Sequence, residues 1–151
     1  MARDDLQRLD DWLAPLLARL SAHERRRLVR VVATDLRRSQ RERIKRQENP
    51  DGSDYAPRRS RDRQGAIRRG AMFSKLRTAK YLRIRSSADV ATVGFFGPVA
   101  SIARTHQYGL RDRVTENGPR VEYARRELLG FAGPDRERVA HLVLDHLSED
   151  F

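Results

Sequence analysis

The side chains best suited to proton transfer or metal binding near neutral pH are four histidines: His23, His106, His141 and His146. His141 and His146 lie five residues apart. On a helix this spacing separates them by about 140°, so they cannot chelate one metal as an i, i+4 pair would. Cysteine is absent, which excludes disulfides and thiolate metal sites and is compatible with a reducing compartment. We therefore expect neither a metal site nor a cofactor.

Motifs that mark catalytic turns and phosphate-binding loops are also absent. The sequence contains no GxSxG, no GxxxxGK[ST] and no GxGxxG. Pro50-Asp51 resembles the start of a nuclease motif, but it lacks the following strand with its acidic-x-Lys element. We therefore expect no catalytic residues and predict that the protein is not an enzyme.

His106 is the most informative of the four histidines. It lies in the stretch "VASIARTHQYG", on an apolar face with i, i+3, i+4, i+7 spacing that begins at Val99. The predicted helix opens near Pro98 and stops at Gly109. Three roles remain open for His106: a partly buried structural ring bonded to backbone or carboxylate, a subunit contact at a helix end, or a metal ligand or general base.

The charge distribution narrows the class of partner. The chain of 151 residues carries a net charge of +11, and of its 32 basic residues only Lys45, Lys75 and Lys80 are lysine. Residues 37–69 hold twelve Arg or Lys against five Asp or Glu, whereas residues 127–151 are acidic. Guanidinium groups suit bidentate contacts with carboxylates or phosphates. Two partners fit: nucleic acid, or acidic surfaces of other proteins, including other copies of this chain.

The length of the chain is that of one domain, residues 1–151. No apolar run approaches the roughly 20 residues that a membrane helix needs. The first residues, MARDDLQRLDDW, are acidic where a signal peptide is basic. We expect a soluble, non-secreted protein that has no contact with a membrane.

Helices are predicted at both ends of the chain. Leucines at three- and four-residue spacing over residues 6–20 indicate an amphipathic helix, kinked or broken near residue 14 by Pro15. Ser21 and Glu24 form a capping box for a second helix, which extends to about residue 47. Its polar end should protrude from the core as part of a basic segment, 37–69. The buried faces of this helix and of a last helix from Pro134 comprise Leu28, Val31, Val32, Leu36, Val139, Leu142, Val143 and Leu147.

The middle of the chain predicts an α+β fold with helices packed on a small antiparallel sheet. Residues 48–65 form a long basic loop without apolar periodicity. A short helix over Ala71–Thr78 precedes a hairpin at about 81–96. Residues 110–119 form a polar loop, and "RVEY" that follows is typical of a third strand.

Four segments together point to a known family. They are "SQRERIKRQENPDGSDYAPR" (39–58), "AMFSKLRTAKYL" (71–82), "IARTHQYGLRDR" (102–113) and "VEYARRELLGF" (121–131). In this order and at similar spacing they resemble the phage virion morphogenesis family, in particular the tail-completion proteins of temperate phages with contractile tails. The resemblance extends over nearly the whole chain.

The resemblance implies a non-enzymatic assembly protein that finishes the head-proximal end of the tail for head–tail joining. It implies a ring of copies, possibly a hexamer, that contacts tail tube or sheath proteins and head–tail connector proteins. Such a protein would lie in the host bacterial cytoplasm during assembly and then in the virion tail. DNA contact would be incidental. The alternative from the residues alone is a nucleic-acid-binding module that uses the central arginine-rich segment.

We assign the candidate assembly interface to the basic loop and to the two later segments. It comprises Arg58, Arg59, Arg61, Arg63, Arg104, His106, Tyr108, Gly109, Arg125 and Glu127. Ordering a loop of this length costs about 1–2 kcal/mol per residue. We therefore expect residues 48–65 to be mobile in the free monomer and ordered after assembly.

Overall fold

The computed structural model describes residues 2–58 and 70–149, apart from a few side chains near the two ends. Its elements are α1 (Ala2–Leu17), α2 (Ala22–Lys45), β1 (Leu82–Ser86), β2 (Ala91–Phe95), α3 (Val99–Tyr108), β3 (Arg111–Arg113), β4 (Arg120–Glu122) and α4 (Gly133–Glu149). The strands form two separate antiparallel pairs, β1–β2 and β3–β4. Helix α2 is central, because it packs against α4, β1 and β2. The predicted α+β class is confirmed.

At the junction between α1 and α2, the predicted start of α2 is right and the predicted break in α1 is not. The sequence predicts a kink or a break near residue 14, and the break is wrong, because α1 continues through Pro15 to Leu17. Pro15 has no N–H to donate, so α1 lacks one backbone hydrogen bond there, and the helix ends two residues later. The capping box is confirmed: the amide of Glu24 donates to Ser21 Oγ at 3.2 Å, and the amide of Ser21 donates to Glu24 Oε2 at 3.0 Å.

The second half of α2 belongs to the core. The side chains of Gln40, Arg43 and Ile44 are all buried, so the prediction that the end of this helix protrudes is wrong. Val31 is also misassigned, since it is 44% exposed while Ala33 is completely buried. The prediction looked only for apolar side chains, whereas this helix buries polar side chains that have hydrogen-bond partners.

Two apolar clusters form the core. The first joins α1, α2 and α4 and contains Leu13, Leu20, Leu28, Val139, Val143 and Leu147. The second lies at the other end of α2 and contains Ile44, Tyr55, Ala103 and Leu128, against which Met72, Phe73, Leu76 and Phe95 pack. The inward face predicted for the last helix is confirmed for Val139, Val143 and Leu147.

The strand predictions are partly right. The hairpin at about 81–96 is confirmed, with Leu82 opposite Phe95 and Ile84 opposite Val93. The third strand is confirmed as β4, but its partner β3 lies inside the stretch predicted to be a polar loop. The short helix predicted over Ala71–Thr78 is wrong, because this stretch forms hydrogen-bonded turns. Phe73 has a φ of 66° there, which a continuous right-handed helix cannot accommodate.

Candidate functional site

Residues 126–130 are held by hydrogen bonds from side chains in several distant parts of the described chain. They form neither helix nor strand, so a regular ladder cannot bond their backbone N–H and C=O groups. Leu128 is nevertheless completely buried. An unbonded backbone group in such a position costs about as much as a lost hydrogen bond. Side chains from α2, α3 and the loop after α2 supply the missing partners.

Arg43 is the largest of these side chains and is only 2% exposed. Its Nη1 donates to the carbonyl oxygens of Glu48 at 3.0 Å and Glu127 at 2.9 Å. Its Nη2 donates to the carbonyl oxygen of Leu128 at 2.8 Å and to Gln40 Oε1 at 2.5 Å. Burial lowers the pKa of this guanidinium below its usual value. Arg43 thus uses its charge to bind carbonyl groups of the fold.

Amide side chains complete the set of partners. Gln107 Oε1 accepts from the amides of Leu128 and Leu129 at 2.8 and 2.9 Å, and its Nε2 donates to the carbonyl oxygen of Leu129 at 2.8 Å. Gln40 Oε1 accepts from the amide of Gly130 at 3.0 Å. Asn49 Oδ1 accepts from the amide of Glu127 at 2.9 Å. We name residues 126–130, together with Gln40, Arg43, Asn49 and Gln107, the hub.

His106 lies beside the hub in a row of aromatic rings. Its ring centroid is 4.8 Å from that of Phe73 and 5.0 Å from that of Tyr123, both in edge-to-face geometry. Phe73 in turn lies 5.7 Å from Tyr55. Burial, with the positive charge of Arg126, lowers the pKa of His106 to about 4. The ring is therefore neutral at physiological pH and behaves as an aromatic packing group.

One role left open for His106 is a partly buried structural ring that is hydrogen-bonded to backbone or carboxylate; the burial is confirmed, but Nδ1 lacks the expected bond among the described residues. Its Nδ1 is buried and has no hydrogen-bond partner within the described part of the chain, where a bond to backbone or carboxylate was expected. Its carbonyl oxygen accepts from the amide of Arg126 at 2.8 Å. The residue therefore contributes ring packing and one backbone bond to the hub.

The first part of the predicted mobile loop, residues 48–58, belongs to the fold. Tyr55 is buried, and its hydroxyl donates to the carbonyl oxygen of Glu127 at 2.9 Å. The backbone amide of Tyr55 donates to the carbonyl oxygen of Gln47 at 2.8 Å. Arg126 donates through Nε to Ala56 O at 2.7 Å and through Nη2 to Pro57 O at 3.0 Å. The expectation of mobility is wrong for this part, because one tyrosine and a buried arginine fix it.

A second polar cluster joins α2 to the start of α4. The Asp135 carboxylate accepts from the Ser39 hydroxyl, from the Ala132 amide at 2.8 Å and from Arg138. Arg138 also pairs with Asp35 at 3.2 Å. Burial alone would raise the pKa of Asp135, but the bonds from Ser39, Ala132 and Arg138 lower it below its ordinary value. This cluster anchors α4 on α2.

Comparison with known proteins gives two matches. The model of the phage virion morphogenesis family matches residues 4–148. The "Tail completion protein S" of Escherichia phage P2 is 38% identical over 148 residues, which cover 95% of this chain and 98% of that protein. This chain belongs to the phage virion morphogenesis family. No solved structure matches it.

The four segments through which the chain resembles this family meet at the hub. Gln40, Arg43 and Asn49 come from the first segment, and Phe73 comes from the second. His106 and Gln107 come from the third, and residues 126–130 from the fourth. Residues from all four segments therefore lie in or beside the hub.

Most of the candidate interface residues are placed by the structure, and some lie together. Gly109 ends α3 with a φ of 64°, as predicted, and the backbone of Arg125 passes directly beside it. Arg125 forms a salt bridge of 2.5 Å with Glu127. Arg104 is exposed on α3, and Tyr108 is 61% exposed. His106, Gly109 and Arg125 thus lie next to the hub, and Glu127 belongs to it.

The basic loop is only partly described. Arg58 is half-buried, and its Nη2 lies 3.3 Å from the carbonyl oxygen of Ala71. Arg59, Arg61 and Arg63 lie outside the described residues, so their role stays a prediction.

Sequence reasoning missed the hub itself. Gln40, Arg43, Asn49 and Gln107 were read as surface residues or passed over, because their polarity matches that of a solvated face. One feature of the sequence could have pointed to these residues: all four lie within the segments that resemble the phage virion morphogenesis family. Among the described residues, no three His, Asp or Glu side chains come together in a way that could hold a metal ion. Within the same residues no helix is long and apolar enough to cross a membrane.

Proposed function

We propose that this protein completes the phage tail, finishing its head-proximal end so that the tail can join a head. The observation that carries the proposal is the match to a tail completion protein over 98% of that protein's length at 38% identity. A match of this extent leaves only about 2% of the relative without a counterpart in this chain. The assignment to a virion morphogenesis family supports the same role.

The geometry of the hub agrees with a structural role. Its polar groups point at backbone N–H and C=O groups and satisfy them, as a folding device requires. A catalytic site would instead direct a nucleophile or an acid–base pair into a cleft. We therefore propose that the protein is an assembly factor and not an enzyme.

Exposed apolar side chains on and near α3 support contacts with other proteins. Ile102 is 49% exposed and Tyr108 is 61% exposed, and Val114 follows on the β3–β4 hairpin at 53%. Every residue of β3 and β4 is exposed. A two-stranded hairpin with no cover is only marginally stable by itself. We propose that this end of the molecule meets tail or head–tail connector proteins in the virion.

We further propose that the protein acts as a ring of copies, possibly a hexamer. A ring needs a heterologous interface, in which two different surfaces of one chain meet. The arginines of the basic loop and Arg125 supply one sign of charge, and Glu137 and Asp145 on the exposed face of α4 supply the other. The protein would form in the host cytoplasm and then become part of the virion tail.

The alternative role of the central arginines is nucleic-acid binding, and the contacts of two of these arginines argue against it. Arg43 binds carbonyl groups in the core, and Arg37 Nε donates to the carbonyl oxygen of Leu82 at 2.7 Å. Arg43 therefore has both Nη groups bonded within the fold, and Arg37 has its Nε bonded there. The sequence makes Arg59, Arg61 and Arg63 suitable both for a protein interface and for binding nucleic acid.

Electron microscopy of lysates from a phage with a nonsense allele of this gene tests the proposal. We expect filled heads and separate tails, with tails of irregular length, and normal particles when the wild-type gene is supplied from a plasmid. A plasmid that carries the charge reversal of Arg59, Arg61 and Arg63 to glutamate should fail to restore joining if these residues form the interface. Normal, infectious particles from a verified null allele would disprove the tail-completion role.

A further inference from the structure

The first nine residues of α2 carry a row of basic side chains on one face. His23, Arg26, Arg27 and Arg30 follow i, i+3, i+4, i+7 spacing, which places them within one stripe of the helix. In a soluble helix this spacing usually marks the apolar face toward the core. Here all four residues are exposed, and the core side of the same turns is formed by Leu28.

This row forms one wall of a concavity. The opposite wall comes from the end of β1 and the turn that follows it, so the concavity lies between α2 and the β1–β2 hairpin. Its volume is about 280 Å3, and it is lined by His23, Arg26, Arg27, Arg30, Ser86 and Ser87. Every one of these side chains can donate a hydrogen bond, and none is a carboxylate.

The three arginines of the concavity differ from most other arginines near them. Arg25 pairs with Asp89 at 3.1 Å, and Arg38 pairs with Asp35 at 2.7 Å. Arg26, Arg27 and Arg30 have no ion pair or hydrogen bond of their side chains within residues 2–58 and 70–149. Like charges at i, i+4, such as those of Arg26 and Arg30, destabilise a helix. A bound anion would remove this repulsion.

The extent of the row favours a polyanion over a single acidic side chain. From His23 to Arg30 the helix rises about 10 Å. A DNA duplex presents one phosphate charge per roughly 1.7 Å of its axis, so about six phosphates lie along that length. The lining contains no Phe, Tyr or Trp ring on which the bases of a single strand could stack. It contains no Asn or Gln suited to read adenine.

We propose that this basic concavity binds the phosphate backbone of double-stranded DNA without regard to sequence. Arg26, Arg27 and Arg30 contact phosphate oxygens, and the hydroxyl groups of Ser86 and Ser87 donate from the hairpin side. The site is separate from the central arginine segment and from the hub. It does not depend on the tail-completion role, which could hold or fail independently.

Fluorescence anisotropy of a labelled duplex of arbitrary sequence, titrated with the full-length protein, tests this. The variant Arg26→Ala/Arg27→Ala/Arg30→Ala is compared with Arg111→Ala/Arg113→Ala/Arg120→Ala, which removes the same charge from the exposed β3–β4 hairpin. We expect the first variant to bind at least tenfold more weakly at about 0.1 M salt. Its slope of log affinity against log salt should fall by about 3. The hairpin variant should change affinity less than threefold. Equal losses in the two variants would show that net charge alone binds DNA, and would overturn the proposal.

Two competitors identify the source of the anion. Poly-L-glutamate and inorganic phosphate are added at the same total charge as the DNA, and we expect neither to displace the duplex from the wild-type protein. Displacement by poly-L-glutamate would identify an acidic protein as the partner, and displacement by phosphate would identify a small anion; either result overturns the proposal. If the triple variant does not fold, Arg26→Gln/Arg30→Gln replaces it, with an expected fall in slope of about 2.

Discussion

Arg43 Nη2 donates a 2.8 Å hydrogen bond to the carbonyl oxygen of Leu128, which lies 85 residues away in the chain. This bond joins the end of α2 to a segment that has no secondary structure of its own. Gln107 and Asn49 bond the adjacent backbone groups from two other parts of the chain. The position of residues 126–130 therefore depends on side chains that are distant in sequence, and the stability of the fold should depend on them strongly.

Replacing Arg43 by alanine should lower the free energy of unfolding by about 3–5 kcal/mol. The substitution removes the donor to the carbonyl oxygens of Glu48 and Leu128, and a buried group left unsatisfied costs about 1–3 kcal/mol. The carbonyl oxygen of Glu127 keeps its bond from the Tyr55 hydroxyl. Urea denaturation followed by circular dichroism measures the loss. Arg30→Ala is the matched control, since it makes the same change at an exposed position of the same helix and should change stability by less than about 0.5 kcal/mol. Equal effects of the two substitutions would contradict the role of Arg43.

His106 should make the protein less stable in acid. Its pKa is about 4 in the folded state against an ordinary 6.5, so the unfolded state binds more protons between these values. Stability is therefore full above about pH 6.5 and decreases as the pH falls toward 4, by up to about 3 kcal/mol from this residue.

His106→Phe is the variant that tests this pH dependence. It keeps an aromatic ring against Phe73 and Tyr123 and cannot bind a proton. Urea denaturation at a series of pH values should show a weaker decrease for the variant than for the wild type. The same decrease in both proteins would show that other groups cause the acid instability.

Gln107→Leu should loosen residues 128 and 129 without unfolding α2. The leucine keeps the approximate size of the side chain but removes the acceptor of two amides and the donor to one carbonyl group. Amide hydrogen exchange should become at least tenfold faster at Leu128 and Leu129 and remain unchanged in the first half of α2. Unchanged protection at Leu128 and Leu129 would mean that packing alone holds this segment.

Gly109→Ala should destabilise the protein by about 1–3 kcal/mol. The residue has a φ of 64°, and an added Cβ atom would lie 3.0 Å from the backbone nitrogen of Arg125. Both the strained conformation and the close contact oppose the substitution. Gly133→Ala is the control, because nothing lies within 4 Å of a Cβ atom there. A melting temperature lowered equally in both variants would contradict this account.

The sequence alone determined the local elements. The capping box of Ser21 and Glu24, the β1–β2 hairpin, the stop of α3 at Gly109 and the apolar face of α4 all follow from residues within a few positions of each other. Local backbone preferences and the spacing of apolar residues are sufficient for such features. The ordered segments also predicted the family, which is confirmed.

The tertiary structure decided where the polar residues lie. Gln40 and Arg43 have the composition of a solvated face, yet they are buried because Leu128 and Gly130 bring unbonded backbone groups to them. Phe73 takes a positive φ instead of helical geometry, and its ring packs between those of Tyr55 and His106. Residues 111–113 became a strand because Arg120–Glu122 pairs with them. Each outcome depends on a partner elsewhere in the chain, so a local pattern of polar and apolar residues does not contain it.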